Sequence, residues 1–278
     1  MSFARHQSFY IRDNWFAKAI EHVKSNPRAL SESSAAANLG IGKNMVESLR
    51  FWLIASKLAS PRRDGLQLTR LGELVERYDP YFEDDMTWLL IHYGLTSDPH
   101  AATSWYLLFN RYTYPQLTEG EFVDFVKNEN GYDVAGSSVK RDYDCLLATY
   151  VQDQAIEGTP EDNMTCPLRK YRLLERVDKD VYRKVPCRVP LPPELLYYVI
   201  RTSYPTVDYH SIMGLIDGDR NIGRTFNLSI DQLYFYLQKV EDAGLARYSI
   251  TAGVNSVALE SMDEYSVLRD YYRRVSLT

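Results

Sequence analysis

The sequence predicts a mainly α-helical protein, with winged helix-turn-helix modules at both ends of a helical middle segment. Three observations carry this. Residues 31–75 read helix, tight turn, helix, basic hairpin, helix. Residues 229–261 repeat the theme as a capped helix followed by two extended runs. Between them, apolar residues recur at helical spacing and are interrupted by Asp-Pro, Gly and Pro breaks.

In residues 1–78, the expected first module, Trp15, Ala19 and Val23 line one helical face and Asn26-Pro27 ends it. Gly40 and Gly42 bracket the next turn, where backbone without a Cβ is expected. Residues 43–58 lack Gly and Pro and place Met45, Leu49, Trp52 and Leu53 in step, with the small Ser56. Asp64-Gly65 supplies a hairpin turn. Thr69 can cap the closing helix, with Gly72 inside it for close packing.

The middle segment, residues 79–193, opens at Asp79-Pro80. Residues 84–95 read as a short buried helix, broken by Asp98-Pro99. The next helix, residues 101–112, has Trp105, Leu108 and Tyr112 in step. Thr118 can cap a helix carrying Phe122 and Val126. Residues 131–138 read as a loop, and Ser138 as the cap of a helix with Val139, Tyr143, Leu146, Leu147 and Tyr150 inward. Residues 157–160 read as a turn, residues 166–177 as a helix and residues 180–185 as a strand. Pro186, Pro190, Pro192 and Pro193 then mark a hinge. The last module, residues 194–278, begins with helices over 193–204 and 207–217. Ser229 caps a helix carrying Leu233, Leu237 and Val240, and Gly244 stops it. Two strands follow around the turn at 252–255.

Composition narrows the function classes. At 45% hydrophobic and 25% charged residues, the chain reads as a folded soluble protein. No apolar run is long enough to span a bilayer, and the first 13 residues lack the apolar core of a signal peptide, so no membrane association and a cytoplasmic location are expected. Cys145, Cys166 and Cys187 do not have zinc-site spacing and read as reduced thiols, two or more of them in the core. The 22 tyrosines suit packing between small helical layers, with base stacking as the alternative.

Net charge is −5, which excludes a general polyanion binder, yet residues 40–63 hold five basic side chains against Glu47 alone, a local charge of +4. Winged helices are mostly nucleic-acid readers and in a minority protein-interaction modules. Lys43 and Arg50 suit phosphates, Asn44 suits adenine, and Arg62 and Arg63 suit phosphates at the wing. A phosphate also fits the N-terminus of the Lys43 helix. Phe51 and Ile54 fall on the same outer face and want cover, which predicts another domain or a second subunit there and keeps an interaction surface open as an alternative. The Gly40–Lys43 turn fails the nucleotide phosphate-loop pattern, since Ala37 stands at the first Gly position and Asn44 replaces the hydroxyl.

Carboxylates cluster at Glu83-Asp84-Asp85, at Asp142 with Asp144, and at Glu161-Asp162. Metal-dependent phosphodiester cleavage needs two or more converging on an ion. Asp142 and Asp144 diverge on their helix, so at most one points inward, and capping or surface charge is the alternative for each cluster. His6 and His92 sit near aromatic residues and read as core-bonded, and no Ser-His-Asp arrangement follows from spacing.

The chain resembles the domain-of-unknown-function family 4007. The resemblance rests on Phe3-Ala4-Arg5-His6 with Phe9, Arg12 and Trp15, and on Leu39-Gly40-Ile41-Gly42-Lys43-Asn44-Met45-Val46 with Arg50 and Trp52. It continues through Thr87-Trp88-Leu89-Leu90 with His92, Ala102-Thr103-Ser104-Trp105-Tyr106 with Phe109, Asp142 to Tyr150, Glu161-Asp162 and Cys166-Pro167-Leu168. Tyr171-Arg172-Leu173 departs from the usual Leu-Gly-Leu, and the C-terminal third matches loosely. The resemblance implies a component of bacterial DNA phosphorothioation and phage-defence systems that nicks DNA. Its implied partners are a cysteine desulfurase, an ATP-pyrophosphatase-like sulfur transferase and an ATPase. The leading expectation is therefore a Mg²⁺-dependent nickase that opens one strand of double-stranded DNA for sulfur insertion. Lys43, Asn44, Arg50, Arg62 and Arg63 would dock the DNA, and Asp142, Glu83 and Asp84 would hold the metal and serve catalysis. Lys140 and Arg141 would hold the phosphate beside Asp142. The alternative is a non-catalytic DNA-binding adaptor or regulator, and a homodimer is compatible with either.

Overall fold

Caps and breakers set most element boundaries in the computed structural model, which describes residues 1–12, 14–128, 133–151, 165–251 and 254–276. Helix α1 (Trp15–Ser25) buries Trp15, Ala19 and Val23 together with Phe16 and Ile20. α2 (Ala35–Leu39) ends at Gly40, whose φ of 67° is the left-handed conformation that favours glycine. α3 (Lys43–Ala55) buries Val46, Leu49, Trp52 and Leu53. Gly42 departs from expectation: it is extended, and a Cβ there would meet nothing closer than 4.0 Å.

Strands β1 (Ala59–Arg62) and β2 (Gly65–Leu68) form an antiparallel hairpin with Arg62 opposite Gly65. The Leu66 N–H donates to the Pro27 carbonyl at 2.8 Å, so the hairpin is sewn to the α1–α2 connection. Thr69 caps α4 (Arg70–Tyr78), accepting from the Gly72 N–H at 3.1 Å. A Cβ on Gly72 would stand 2.0 Å from the Leu58 carbonyl oxygen, the close approach its position required.

In the middle of the chain, α5 (Asp85–Ser97) is apolar on all sides and almost wholly buried, as a central helix must be. α6 (Thr103–Tyr106) runs into a π-helical turn, Leu107–Arg111, followed by α7 (Glu119–Asn128). α8 (Gly136–Tyr150) starts two residues before the expected Ser138 cap. The helix expected over 166–177 is corrected. One 3₁₀ turn, Pro167–Tyr171, stops where Arg172 turns left-handed, and β3 (Leu174–Asp178) pairs with β4 (Val181–Lys184). Pairing with β4 satisfies backbone groups that the sequence pattern had assigned to helix.

The proline-rich stretch is pinned: the Cys187 and Arg188 N–H groups donate to the carbonyls of Phe226 and Tyr171. It leads into α9 (Pro193–Ser203), which packs on α5. The helix expected over 207–217 is also corrected. Its first half is β5 (Tyr209–Ser211), and Ser211 then caps α10 (Ile212–Asp217). α11 (Ile222–Phe226) precedes α12 (Ile230–Asp242), which starts with a reciprocal Ser229–Gln232 capping box. β6 (Ala246–Thr251) and β7 (Val254–Leu259) complete an antiparallel sheet ordered β5-β7-β6. The expected turn residues Ala252 and Gly253 lie outside the described residues.

A final helix, α13 (Glu264–Val275), was not expected from the sequence. It packs on α9 and α4, with Tyr272 stacked on Tyr78 and Asp263 paired to Arg70 at 3.1 Å. The structure is thus mainly helical with small antiparallel sheets, around a continuous apolar core from Ile11 to Tyr272. Among the described residues, no helix is long and apolar enough to cross a membrane.

Candidate nucleic-acid interface

α3 begins without a side-chain cap and without an acidic residue in its first turn. Its free N–H groups and partial positive charge therefore face outward beside the exposed Lys43 and Asn44. Arg62 and Arg63 are exposed at the hairpin tip. Arg50 is half-buried in a separate cleft of about 390 Å³ that includes Arg5, Glu47, Phe51 and His100. Lys57 leans back toward the Tyr93 ring, 5.9 Å away, so the +4 of residues 40–63 is not presented on one face.

Two cations that the sequence reading passed over stand near these groups. Arg12 is wedged among Phe9, Tyr10 and Trp15, 5.6 to 5.9 Å from their ring centres, in a groove it shares with Lys18 and the Gly40–Gly42 turn. Arg28 reaches the hairpin tip, its Nε–H donating to the Asp64 carbonyl at 3.3 Å. Nothing in local spacing relates residues 28 and 64; only the hairpin's seat on Pro27 does.

The outer face of α3 is covered from within the chain. The Phe9 carbonyl accepts from Ser48 Oγ at 3.3 Å and from Trp52 Nε1 at 2.9 Å. His6 stacks on Trp52 and tilts against Phe51. Phe51 and Ile54 are accordingly half-buried against the N-terminal strap and the Ala101 loop, so the expected cover comes in part from the middle segment of the same chain. Ser48, beneath the strap, is fully buried.

Asp142 pins that strap. It is 1% exposed; Oδ1 accepts from the Ala4 N–H and His6 Nε2, both at 2.8 Å, and Oδ2 accepts from Ser104 Oγ at 2.6 Å. The ties hold Ala4, Gln7 and Ser8 in left-handed conformations that such residues seldom adopt. Ser104 bonds the carboxylate rather than the imidazole, so His6 cannot draw its proton, and no nucleophile is activated. Asp144 is exposed, as the divergence of the two acids required. Lys140, expected to hold a phosphate beside Asp142, is ion-paired with Glu119 instead.

The other acidic cluster is likewise engaged. Asp84 Oδ1 accepts from the Met86 N–H at 2.8 Å and from Tyr271 OH at 3.1 Å. Asp85 accepts from Lys170 at 2.6 Å and from Tyr171 OH at 2.8 Å. Glu83 is exposed beside a cavity of about 670 Å³ that also includes Trp88, Arg169, Lys170 and Arg172. His92 is buried, donating from Nε2 to the Thr225 carbonyl and accepting from Tyr150 OH; burial pushes its pKa down to about 4. All three cysteines are buried, and burial raises the Cys187 thiol to about 11.

A model of the DUF4007 family, described as proteins of unknown function, matches residues 3–272. The chain belongs to this family. The match takes in the C-terminal third, where the motif resemblance is loose. Two crystal structures of SspB have a similar fold and align over 100% of this chain and 89% of theirs. One is described as magnesium ion-bound, at 27% identity and a TM-score of 0.87; the other has 26% identity and a TM-score of 0.88. No curated protein matches the chain.

The magnesium-bound relative invites a test of the carboxylates in this DUF4007 chain. Among the described residues, no three His, Cys, Asp or Glu side chains come together as a metal-holding group. Asp142 therefore does not join Glu83 and Asp84 in one, and its oxygens serve Ala4, His6 and Ser104. Glu161 and Asp162 lie outside the described residues. Among the described residues there is thus no Mg²⁺ site with three or more such protein ligands.

Proposed function

We propose that this protein docks double-stranded DNA through its first helical unit, as the DNA-binding component of a phosphorothioation and phage-defence system. The observation that carries the reading is the element order α1–α2–α3–β1–β2, that of a winged helix, with cations exposed at its two DNA-facing parts. Lys43 and Asn44 stand at the open N-terminus of α3, and Arg62 and Arg63 at the wing tip. Phosphate contacts of this kind position a protein on the duplex, while Asn44 has the amide that reads adenine. Membership of DUF4007 and the full-length likeness to SspB support the setting. A cysteine desulfurase, a sulfur transferase of the ATP-pyrophosphatase type and an ATPase are the partners that this setting calls for.

Mg²⁺-dependent nicking is the second reading, favoured by the magnesium-bound relative. One experiment addresses both. Supercoiled plasmid is incubated with the full chain in Mg²⁺ or EDTA, and binding to a labelled duplex is titrated alongside. Docking predicts salt-dependent binding in both media, weakened in the Arg62→Ala/Arg63→Ala variant. Absence of binding refutes docking. Relaxed plasmid in Mg²⁺ alone establishes nicking, and unchanged plasmid with intact binding leaves the protein a non-catalytic adaptor.

A further inference from the structure

We propose that Arg28 joins Arg62 and Arg63 as a third phosphate contact, so that the wing tip and the α1–α2 turn form one arginine site for the DNA backbone. The proposal rests on the docking reading above and deepens it.

The tip is seated rather than loose. Gly65 has a φ of 137°, and a Cβ there would stand 2.1 Å from the Pro27 carbonyl oxygen. No other residue allows the hairpin to approach so closely without moving. The Leu66 N–H to Pro27 hydrogen bond closes the contact.

Arg28 is then held from two directions. Its backbone N–H donates to Asn26 Oδ1 at 2.9 Å, and its Nε–H to the Asp64 carbonyl at 3.3 Å. The two terminal nitrogens have no partner among the described residues, and the side chain is exposed. A guanidinium anchored by Nε with both Nη groups free is set up for bidentate recognition of a phosphate, with less rotamer freedom to lose.

No carboxylate forms an ion pair with Arg28 among the described residues. Glu32, the nearby acid on the Arg28 side, accepts instead from Asn26 Nδ2 at 2.8 Å and from Ser34 at 3.5 Å. Asp64 is the one acid of the tip itself, against three arginines. Pro61, Arg62, Arg63 and Asp64 are all exposed, so the cations sit on a projecting surface. Such a surface suits an extended polyanion rather than an enclosed small anion. Anchoring Arg28 on a tip that already carries Arg62 and Arg63 costs repulsion that counterion release from DNA offsets.

The test is a salt titration of the full chain on a labelled short DNA duplex. Arg28→Gln keeps a donor for the Asp64 carbonyl but loses the charge. It should flatten the log affinity–log salt slope by about 0.9, with an unchanged melting temperature. Arg28→Lys should retain the slope. Arg62→Ala/Arg63→Ala should flatten it by about 1.8, and Lys179→Ala, an exposed cation on the β3–β4 turn, should leave it unchanged. A wild-type slope for Arg28→Gln, with the double variant flattened, overturns the Arg28 assignment and leaves docking intact, whatever the melting temperature. Wild-type slopes throughout overturn docking as well. Equal flattening by Lys179→Ala shows a general charge effect and also overturns the assignment.

Discussion

Replacing Asp142 by alanine should destabilise this protein strongly, because the carboxylate is a buried staple. It is 1% exposed and accepts three hydrogen bonds, from the Ala4 N–H, His6 Nε2 and Ser104 Oγ. Its removal strands two buried donors, on His6 and Ser104, and the part-buried Ala4 N–H, all from segments more than 30 residues away in sequence. Each unsatisfied donor costs about 1–3 kcal/mol, less where the Ser104 hydroxyl finds another acceptor. Breaking one partner out of a buried charged cluster costs roughly 3–5 kcal/mol, which we take as the total. At about 2–4 °C per kcal/mol for a chain of this size class, melting should fall by roughly 6–20 °C. Asp142→Asn keeps the shape and an acceptor for Ala4 and His6, and should cost only about 1–2 kcal/mol. The assay is thermal unfolding of both variants with and without Mg²⁺, with His6→Gln completing a double-mutant cycle. Coupling between positions 6 and 142 above about 1 kcal/mol is expected, and Mg²⁺ should shift parent and Asp142→Asn alike. An Asp142→Ala protein melting within about 2 °C of the parent, a drop worth no more than about 1 kcal/mol, would refute the staple. Loss of a Mg²⁺-dependent shift in that same protein would make the carboxylate a metal ligand.

Two further outcomes follow from the packing. Gly72→Ala places a Cβ 2.0 Å from the Leu58 carbonyl, so although Ala is the better helix former it should destabilise by about 1–3 kcal/mol or more, read from a denaturant midpoint; a neutral or stabilising result refutes the close approach. His92 titrates at about 4 when folded and near 6.5 when unfolded, so the unfolded chain binds the extra proton between those values. Its contribution is present above pH 6.5 and is lost as pH falls toward 4, roughly 3 kcal/mol in all. His92→Gln should flatten the stability–pH curve over that window, and a curve parallel to the parent's counts against a neutral buried imidazole.

The elements legible in the sequence are those that local chemistry specifies. The Trp15–Ala19–Val23 row, the Leu49–Trp52–Leu53 row, the Asp64-Gly65 turn and the Thr69 and Ser229 caps involve partners within a few residues, and each is present. The misreadings at 166–177 and 207–217 share one cause. β3 and β5 exist because β4 and β7 lie beside them, and short mixed runs do not announce a pairing partner. α13 escaped because its apolar Val267, Leu268 and Tyr272 are scattered among charges and find their cover on α9 and α4.

The candidate interface divides the same way. Exposure of Lys43, Asn44, Arg62 and Arg63 was readable, since each lies off the apolar row of its helix or at a hairpin tip. The sequence by itself determined the helical class, the basic hairpin and the divergence of Asp142 from Asp144, because side-chain direction repeats with the backbone period. Only the tertiary structure decided which of those two acids turns inward, what covers Phe51 and Ile54, and that Arg28 reaches the wing. Each depends on a contact between distant segments: the strap at residues 4–9 on α3 and Asp142, and the hairpin on Pro27. Such contacts are selected by global packing, on which no window of neighbouring residues reports.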